Sequence, residues 1–224
     1  VVWIPDAAQL TDAAANALLK TLEEPPAQTW FFLASREPAR LLATLRSRCR
    51  LHHLAPPAES YAISWLNREV TASQEALLSA LRLSAGSPGA ALTLLQAESW
   101  THRTDFLAAL ANTLHSADWY ILLAALNHDQ AAARLHWLAT LFTDALKRPY
   151  GISHLTNPDA LDLISSIAER LSVAQIQAIL GDVCHCRQQL LNVTGINREL
   201  VLTDLILRIE HYLQPGTVLP VPHL

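Results

Sequence analysis

A mainly α chain that opens on the end of an α/β core is predicted by three observations. Strand-like and helical segments alternate over the first 54 residues, strand signals vanish after Pro56-Pro57, and helical periodicity then runs almost to the C-terminus. Composition agrees with a packed protein. The 224 residues are 51% hydrophobic and only 16% charged, against about 25% charged in an average globular chain. A chain of this length buries roughly 70% of its unfolded surface, so a core needs no disulfide or metal staple. Disorder, a collagen-like repeat and a coiled-coil rod are excluded on the same grounds.

In the first segment, Val1 to Ile4 is a short apolar run suited to a buried strand and closed by Pro5-Asp6. Thr11 is placed to cap a helix carrying Leu18, Leu19 and Leu22, which Pro25-Pro26 stop. Trp30-Phe31-Phe32-Leu33 predicts a second buried strand. Pro38 suits the first turn of a helix with Leu41, Leu42 and Leu45, and Leu51-His52-His53-Leu54 predicts a third strand. This alternation implies a mostly parallel sheet with helices on its faces. A buried parallel strand needs a partner on each side, and the chain holds no Met. It is therefore expected to belong to a longer protein and to begin inside a domain.

Three short helices are predicted over residues 55–97, enough for a small lid-like domain. Pro57 opens the first, with Tyr61, Trp65 and Leu66 on one stripe. Thr71-Ala72-Ser73-Gln74 has capping-box spacing and opens the second, through Leu77, Leu81 and Leu83. After Gly86, Ser87 caps and Pro88 begins the third. Residues 98–224 read as all helix. Asp129 is expected to cap a helix bearing Leu135, Leu138, Leu141, Phe142 and Leu146, and Asn157-Pro158 opens the next. Ser172-Val173-Ala174-Gln175 forms a second capping box ahead of Ile176, Ile179, Leu180 and Val183. The last helix carries Leu202, Leu205, Ile206, Ile209 and Leu213 and ends at Pro215-Gly216, before an irregular Pro-rich tail. Such a bundle packs on itself or on copies from other chains.

Charge and cysteine content narrow the function. Sixteen basic and 20 acidic residues give a net charge of −4, which excludes a broad nucleic-acid-coating surface; any DNA contact is narrow or made through partners. Three cysteines are too few for a disulfide framework and fit a reducing cytoplasm. No signal peptide is visible, and the uncharged stretch Trp119 to Leu126 is far below the ~20 residues of a membrane span.

Candidate chemistry is sparse. Cys184-His185-Cys186 suggests a metal, but helical residues two apart point to nearly opposite sides, so both Cys read as packing residues. His52 and His53 face opposite ways on a strand, and a Cys49–His nucleophile pair lacks an orienting third group. Neither phosphate-binding glycine pattern, G-x-x-x-x-G-K-[ST] or G-x-G-x-x-G, occurs, and Gly86-Ser87-Pro88-Gly89 reads better as a helix stop and start. The strongest local charge is basic: Arg36, Arg40, Arg46, Arg48 and Arg50, opposed only by Glu37. A solvated helix face accounts for Arg36 and Arg40. Arg48 lies where a helix hands over to a strand, from which a forked, permanently charged guanidinium projects at the domain edge.

The run Leu18-Leu19-Lys20-Thr21-Leu22-Glu23-Glu24-Pro25-Pro26, the aromatic strand Phe31-Phe32-Leu33 and the tripeptide Ser47-Arg48-Cys49 together resemble the bacterial clamp-loader branch of the AAA+ ATPases, the subunits that serve DNA polymerase III. The match is strongest over residues 1–54, and Gly86-Ser87-Pro88-Gly89-Ala90-Ala91-Leu92 and residues 197–216 extend it to nearly the whole chain. Motor subunits of that branch end the first strand with an Asp-Glu pair, one carboxylate holding Mg²⁺ and the other activating water. Here Pro5-Asp6 stands in its place, and the arginine expected after Gly86-Ser87 is absent.

The resemblance thus implies a subunit without ATPase activity of its own, part of a DNA-directed DNA polymerase holoenzyme. Arg48 would act in trans as an arginine finger, with Ser47 and Cys49 as positioning neighbours. It implies residues 1–54 as the end of the AAA+ core, 55–97 as the lid and 98–224 as a collar joining five subunits in an open ring. No cofactor is expected in this chain, ATP and Mg²⁺ being held by neighbouring motor subunits. No metal is expected either, because the zinc-binding insertion of some members would lie before residue 1. Partners would be the motor subunit, the delta subunit and, through the complex, the sliding clamp and primed DNA. Two other readings stay open at this point: an ATP-hydrolysing motor subunit of the same loader, and an unrelated helical interaction module.

Overall fold

The structure, a computed structural model, describes residues 1–35 and 37–220 and is about 67% helical. The chain divides into two compact units, Val1–Ala55 and a larger one from Pro56 onward.

The first unit is built on a βαβ crossover. Strand β1 (Val2–Ile4) and strand β2 (Phe31–Leu33) pair in parallel with Trp3 opposite Phe32, and helix α1 (Asp12–Glu23) joins them. The ladder extends one step each way, from the Val2 N–H to the Trp30 carbonyl (2.8 Å) and from the Ala34 N–H to the Ile4 carbonyl (2.9 Å). Thr11 caps α1 as expected, its hydroxyl accepting from the Ala14 N–H at 3.2 Å.

Three expectations for this unit are corrected. The helix after Pro38 is split into a 3-10 turn (Pro38–Arg40) and a four-residue helix α2 (Ala43–Arg46), because Leu41 and Leu42 are extended; this re-aims the chain so that Leu45 is buried. No strand forms at residues 51–54. A strand there needs a neighbour for its backbone groups, and none is present among the described residues, so Leu51 and Leu54 lie exposed. The strands themselves are covered on one face only: Ile4, Phe31 and Leu33 are half-buried, whereas Trp3 and Phe32, pointing the other way, are exposed.

The second unit opens with three helices, α3 (Glu59–Glu69), α4 (Gln74–Leu83) and α5 (Pro88–Leu94), around Ile63, Leu66, Leu77, Leu81 and Ala91. Tyr61 is exposed, so the buried stripe of α3 is Ala62, Ile63 and Leu66 rather than the one expected. The cap of α4 is Ser73, not Thr71: its hydroxyl accepts from the Ala76 N–H at 3.2 Å. The α4 C-terminus is a Schellman closure, with the Gly86 N–H on the Leu81 carbonyl (2.9 Å) and the Ala85 N–H on the Arg82 carbonyl (3.2 Å). Gly86 is required there: its φ is +80°, and a Cβ would meet the Pro56 side chain at 3.0 Å. Ser87 and Pro88 begin α5 as expected.

Six helices complete the unit: α6 (Ala97–Ser116), α7 (Tyr120–Leu126), α8 (Ala131–Lys147), α9 (Leu161–Arg170), α10 (Val173–Asn192) and α11 (Arg198–Leu213). Their shared core holds Phe106, Leu138, Phe142, Ile164, Ile179 and Ile206. The Ser172–Gln175 box closes in both directions, at 3.3 and 2.9 Å, and α11 buries Leu202, Leu205, Ile206 and Ile209 as its spacing predicts. Asp129 does not cap α8; its carboxylate pairs instead with Arg198 at 3.0 Å. Asn157-Pro158 opens a 3-10 turn (Pro158–Ala160) that feeds α9. Among the described residues no single helix is long and apolar enough to cross a membrane.

A buried polar network ties α4 to these helices. Arg103 of α6 is fully buried and binds the Asp159 carboxylate and the Asn157 side-chain carbonyl (2.9 Å). Asn157 in turn donates its backbone N–H (2.8 Å) and side-chain amide (2.9 Å) to Asp144 of α8. Ser79 of α4 donates to Asp159, whose own N–H returns to the Ser79 hydroxyl at 3.3 Å. Removing one member of a buried ion pair strands the other, at about 3–5 kcal/mol. Asp159→Ala is therefore expected to destabilise the protein by that amount, read as a lowered urea midpoint at unchanged slope, with Asp159→Asn losing less.

Candidate arginine site

The Ser47-Arg48-Cys49 tripeptide lies in the turn that ends α2. Arg48 and Cys49 donate their backbone N–H groups to Leu45 and Arg46 (3.1 and 3.4 Å). The Ser47 hydroxyl donates to the Thr44 carbonyl at 3.0 Å, one of the end carbonyls that a helix leaves without a partner. Arg48 reaches the same carbonyl through one Nη at 2.9 Å. Its Nε (2.6 Å) and its other Nη both donate to a single oxygen of Glu23, the last residue of α1. The Arg48 side chain keeps 31% of its surface exposed and that of Glu23 keeps 50%. The site thus joins the C-terminal ends of two helices, where carbonyl dipoles favour a cation.

The other candidates separate from it. Arg46 and Arg50 are exposed, Arg40 is an exposed partner of Glu37 (3.3 Å), and Arg36 lies outside the described residues. Asp6 has both carboxylate oxygens engaged, one by the Ala8 N–H (3.1 Å) and one by the Gln9 amide (2.9 Å), so it works as the cap of the turn Ala7–Gln9. Cys49 is half-buried and burial pushes its thiol pKa up, opposite to what a nucleophile needs. His52 and His53 are both exposed. On α10, Cys184 is exposed and Cys186 buried, on different sides as the helix geometry requires. Among the described residues no group of three or more His, Cys, Asp or Glu side chains is arranged to hold a metal ion.

Sequence reasoning missed Glu23 as the partner of Arg48. One signal was available: Glu23-Glu24 puts two carboxylates at a helix C-terminus, against the dipole, and favours a cation brought from elsewhere in the chain.

A parallel βαβ unit followed by helices throughout fits the AAA+ clamp-loader class that the Leu18–Pro26, Phe31–Leu33 and Ser47–Cys49 runs resemble. Comparison with known families agrees along the chain: residues 1–58 match the model of the DNA polymerase III delta subunit, 57–96 that of the delta-prime AAA+ ATPase lid domain, and 97–211 that of the C-terminal part of the delta subunit. The chain belongs to the delta-prime family of DNA polymerase III subunits, components of the clamp loader. It is 71% identical over 224 residues to DNA polymerase III subunit delta' of Escherichia coli K12 and 46% identical over 230 residues to that of Yersinia pestis. Both alignments cover all of this chain and 67% and 68% of those relatives, so the chain spans about two thirds of their length. A stretch of 54 residues, 24% of this chain and 8% of the relative, is 48% identical to DNA polymerase III subunit tau of Salmonella typhimurium. An unrelated helical interaction module is thereby set aside.

Burial, with Asp204 and Asp182 nearby, pushes the Cys186 thiol pKa from 9.0 up to about 11, and burial with the Asp182 hydrogen bond pushes Tyr212 to about 12. Both are acids whose neutral form the fold favours. The stability they contribute is present below their unfolded values and is lost as pH rises toward 11 and beyond. Alkaline titration followed by circular dichroism is expected to show this loss above pH ~9. At pH 8 iodoacetamide should label Cys184 ahead of Cys186, read by mass spectrometry.

Proposed function

We propose that the chain is the non-hydrolysing clamp-loader subunit that presents Arg48 in trans to ATP bound by a neighbouring motor subunit. The retention of Arg48 where the motor-type carboxylates are replaced carries this reading. Pro5 has no ligand to offer, and Asp6 is engaged as a cap. A chain without its own hydrolytic carboxylates has no catalytic use for a partly exposed guanidinium, whereas a neighbour that holds ATP does.

In phosphoryl transfer, charge spreads over the equatorial oxygens of the transferred group, and a guanidinium held against them lowers the barrier by electrostatics rather than by any covalent step. Ser47 fixes the turn through the Thr44 carbonyl, and half-buried Cys49 continues it with a backbone bond to the Arg46 carbonyl. We read residues 1–54 as the end of the AAA+ core, 55–97 as the lid and 98–224 as the collar that joins a hetero-oligomeric ring. Its partners are the motor and delta subunits, with the sliding clamp and primed DNA reached through the complex in the cytoplasm. ATP and Mg²⁺ belong to the motor subunits.

In a reconstituted clamp loader with clamp and primed DNA, Arg48→Ala is expected to lower ATP turnover by ~10³-fold at the site it serves, with assembly intact by gel filtration. Unchanged turnover in an assembled complex would make Arg48 a structural residue and the chain a passive scaffold.

A further inference from the structure

We propose that Glu23 is the positioning residue for Arg48, holding the guanidinium from one side so that its remaining donors are presented to a phosphoryl oxygen. The inference rests on the reading of Arg48 as the arginine finger.

A guanidinium has five N–H donors in a rigid plane. Three are engaged here: Nε (2.6 Å) and one Nη on the same Glu23 oxygen, and the other Nη on the Thr44 carbonyl (2.9 Å). That leaves two N–H groups, one on each Nη. The two contacts come from different elements, the end of α1 and the end of α2, so they fix both the direction of the side chain and the rotation of its plane. A freely rotating arginine samples many rotamers. Ordering such a side chain costs conformational entropy, which a neighbour's phosphate would otherwise have to supply when it binds. Glu23 lowers that cost in advance, which is preorganisation in the sense that matters for electrostatic catalysis.

The pair also explains an unfavourable element of the sequence. Glu23 sits at the negative end of the α1 dipole and Glu24 follows it, an arrangement that weakens a helix unless a cation covers it. Arg48 supplies that cation from 25 residues away in sequence. Because both side chains are partly in solvent, the pair adds little to stability. A structural role alone would therefore leave little to protect, and substitution at Glu23 leaves the fold standing.

The test uses the native polypeptide in a reconstituted clamp loader with clamp and primed DNA. Glu23→Ala is expected to lower kcat for ATP about 10-fold or more, in line with the loss from a misplaced catalytic group, while KM for ATP and complex assembly stay unchanged. Glu23→Gln retains an acceptor oxygen at the same reach and should recover part of that loss; it also carries the test should Glu23→Ala fail to assemble. In an Arg48→Ala background, Glu23→Ala should cost nothing more, since its effect passes through Arg48. Wild-type turnover in Glu23→Ala, or a loss that adds fully to that of Arg48→Ala, would overturn the proposal while leaving the finger reading intact. Wild-type turnover in Arg48→Ala alone would overturn the finger reading, and this inference with it.

Discussion

The larger unit is organised around one buried guanidinium. Arg103 has none of its surface in water, and the effective penalty for burying such a charge is several kcal/mol. The surrounding structure offsets it piece by piece. Asp159 supplies the counter-charge, Asn157 supplies a neutral acceptor at 2.9 Å, and the Trp100 ring lies 4.9 Å from the guanidinium carbon. Asp159 and Asn157 are themselves held, the first by Ser79. Asn157 is clamped to Asp144, which also takes the Thr156 N–H at 3.0 Å and Lys147 at 2.8 Å. The irregular segment between α8 and α9 therefore has little freedom to move. Arg82 of α4 adds a bond to the Leu155 carbonyl while paired with Glu59 at 2.7 Å. Helices α3 to α5 and the larger bundle of the same unit thus share polar bonds as well as apolar contacts, and in a low-dielectric setting those bonds reinforce one another.

Arg48 shows the same functional group in a different setting. It too is held by a carboxylate and by a carbonyl oxygen, yet about a third of its side chain faces solvent. Solvent makes the pair with Glu23 weak enough to be energetically modest and open enough for donors to remain available. Burial separates the two settings: Arg103 satisfies its charge within the fold, whereas Arg48 keeps part of its guanidinium in solvent. Asp6 makes the complementary point, since capping the turn Ala7–Gln9 engages both of its oxygens.

Much of this was readable beforehand wherever the governing interaction is local. Thr11, Ser87 and the Ser172–Gln175 box cap helices by bonds that span three residues, and those positions were found from spacing alone. The buried stripe of α11 follows from a repeat of three and four. The failures have their own physics. Thr71 and Ser73 both sit ahead of the α4 core positions, and Ser73, immediately before Gln74, is the one whose hydroxyl takes the Ala76 N–H. Asp129 has the right side chain for a cap, but a distant arginine takes it. Leu51 to Leu54 has the composition of a strand, but a strand exists only where another supplies its ladder.

The helical character of the chain, its division near Pro56-Pro57, the starts of several helices and the singling out of Arg48 are all legible in the residues. These depend on backbone preferences, short-range capping and the 3.6-residue period, all of which act within a few positions of the chain. Which charges meet is set by the packed fold: Arg48 with Glu23, Arg103 with Asp159, Arg198 with Asp129. Such pairs join residues tens of positions apart, through side chains whose partners are fixed by where the packed helices bring them, and no local pattern encodes that.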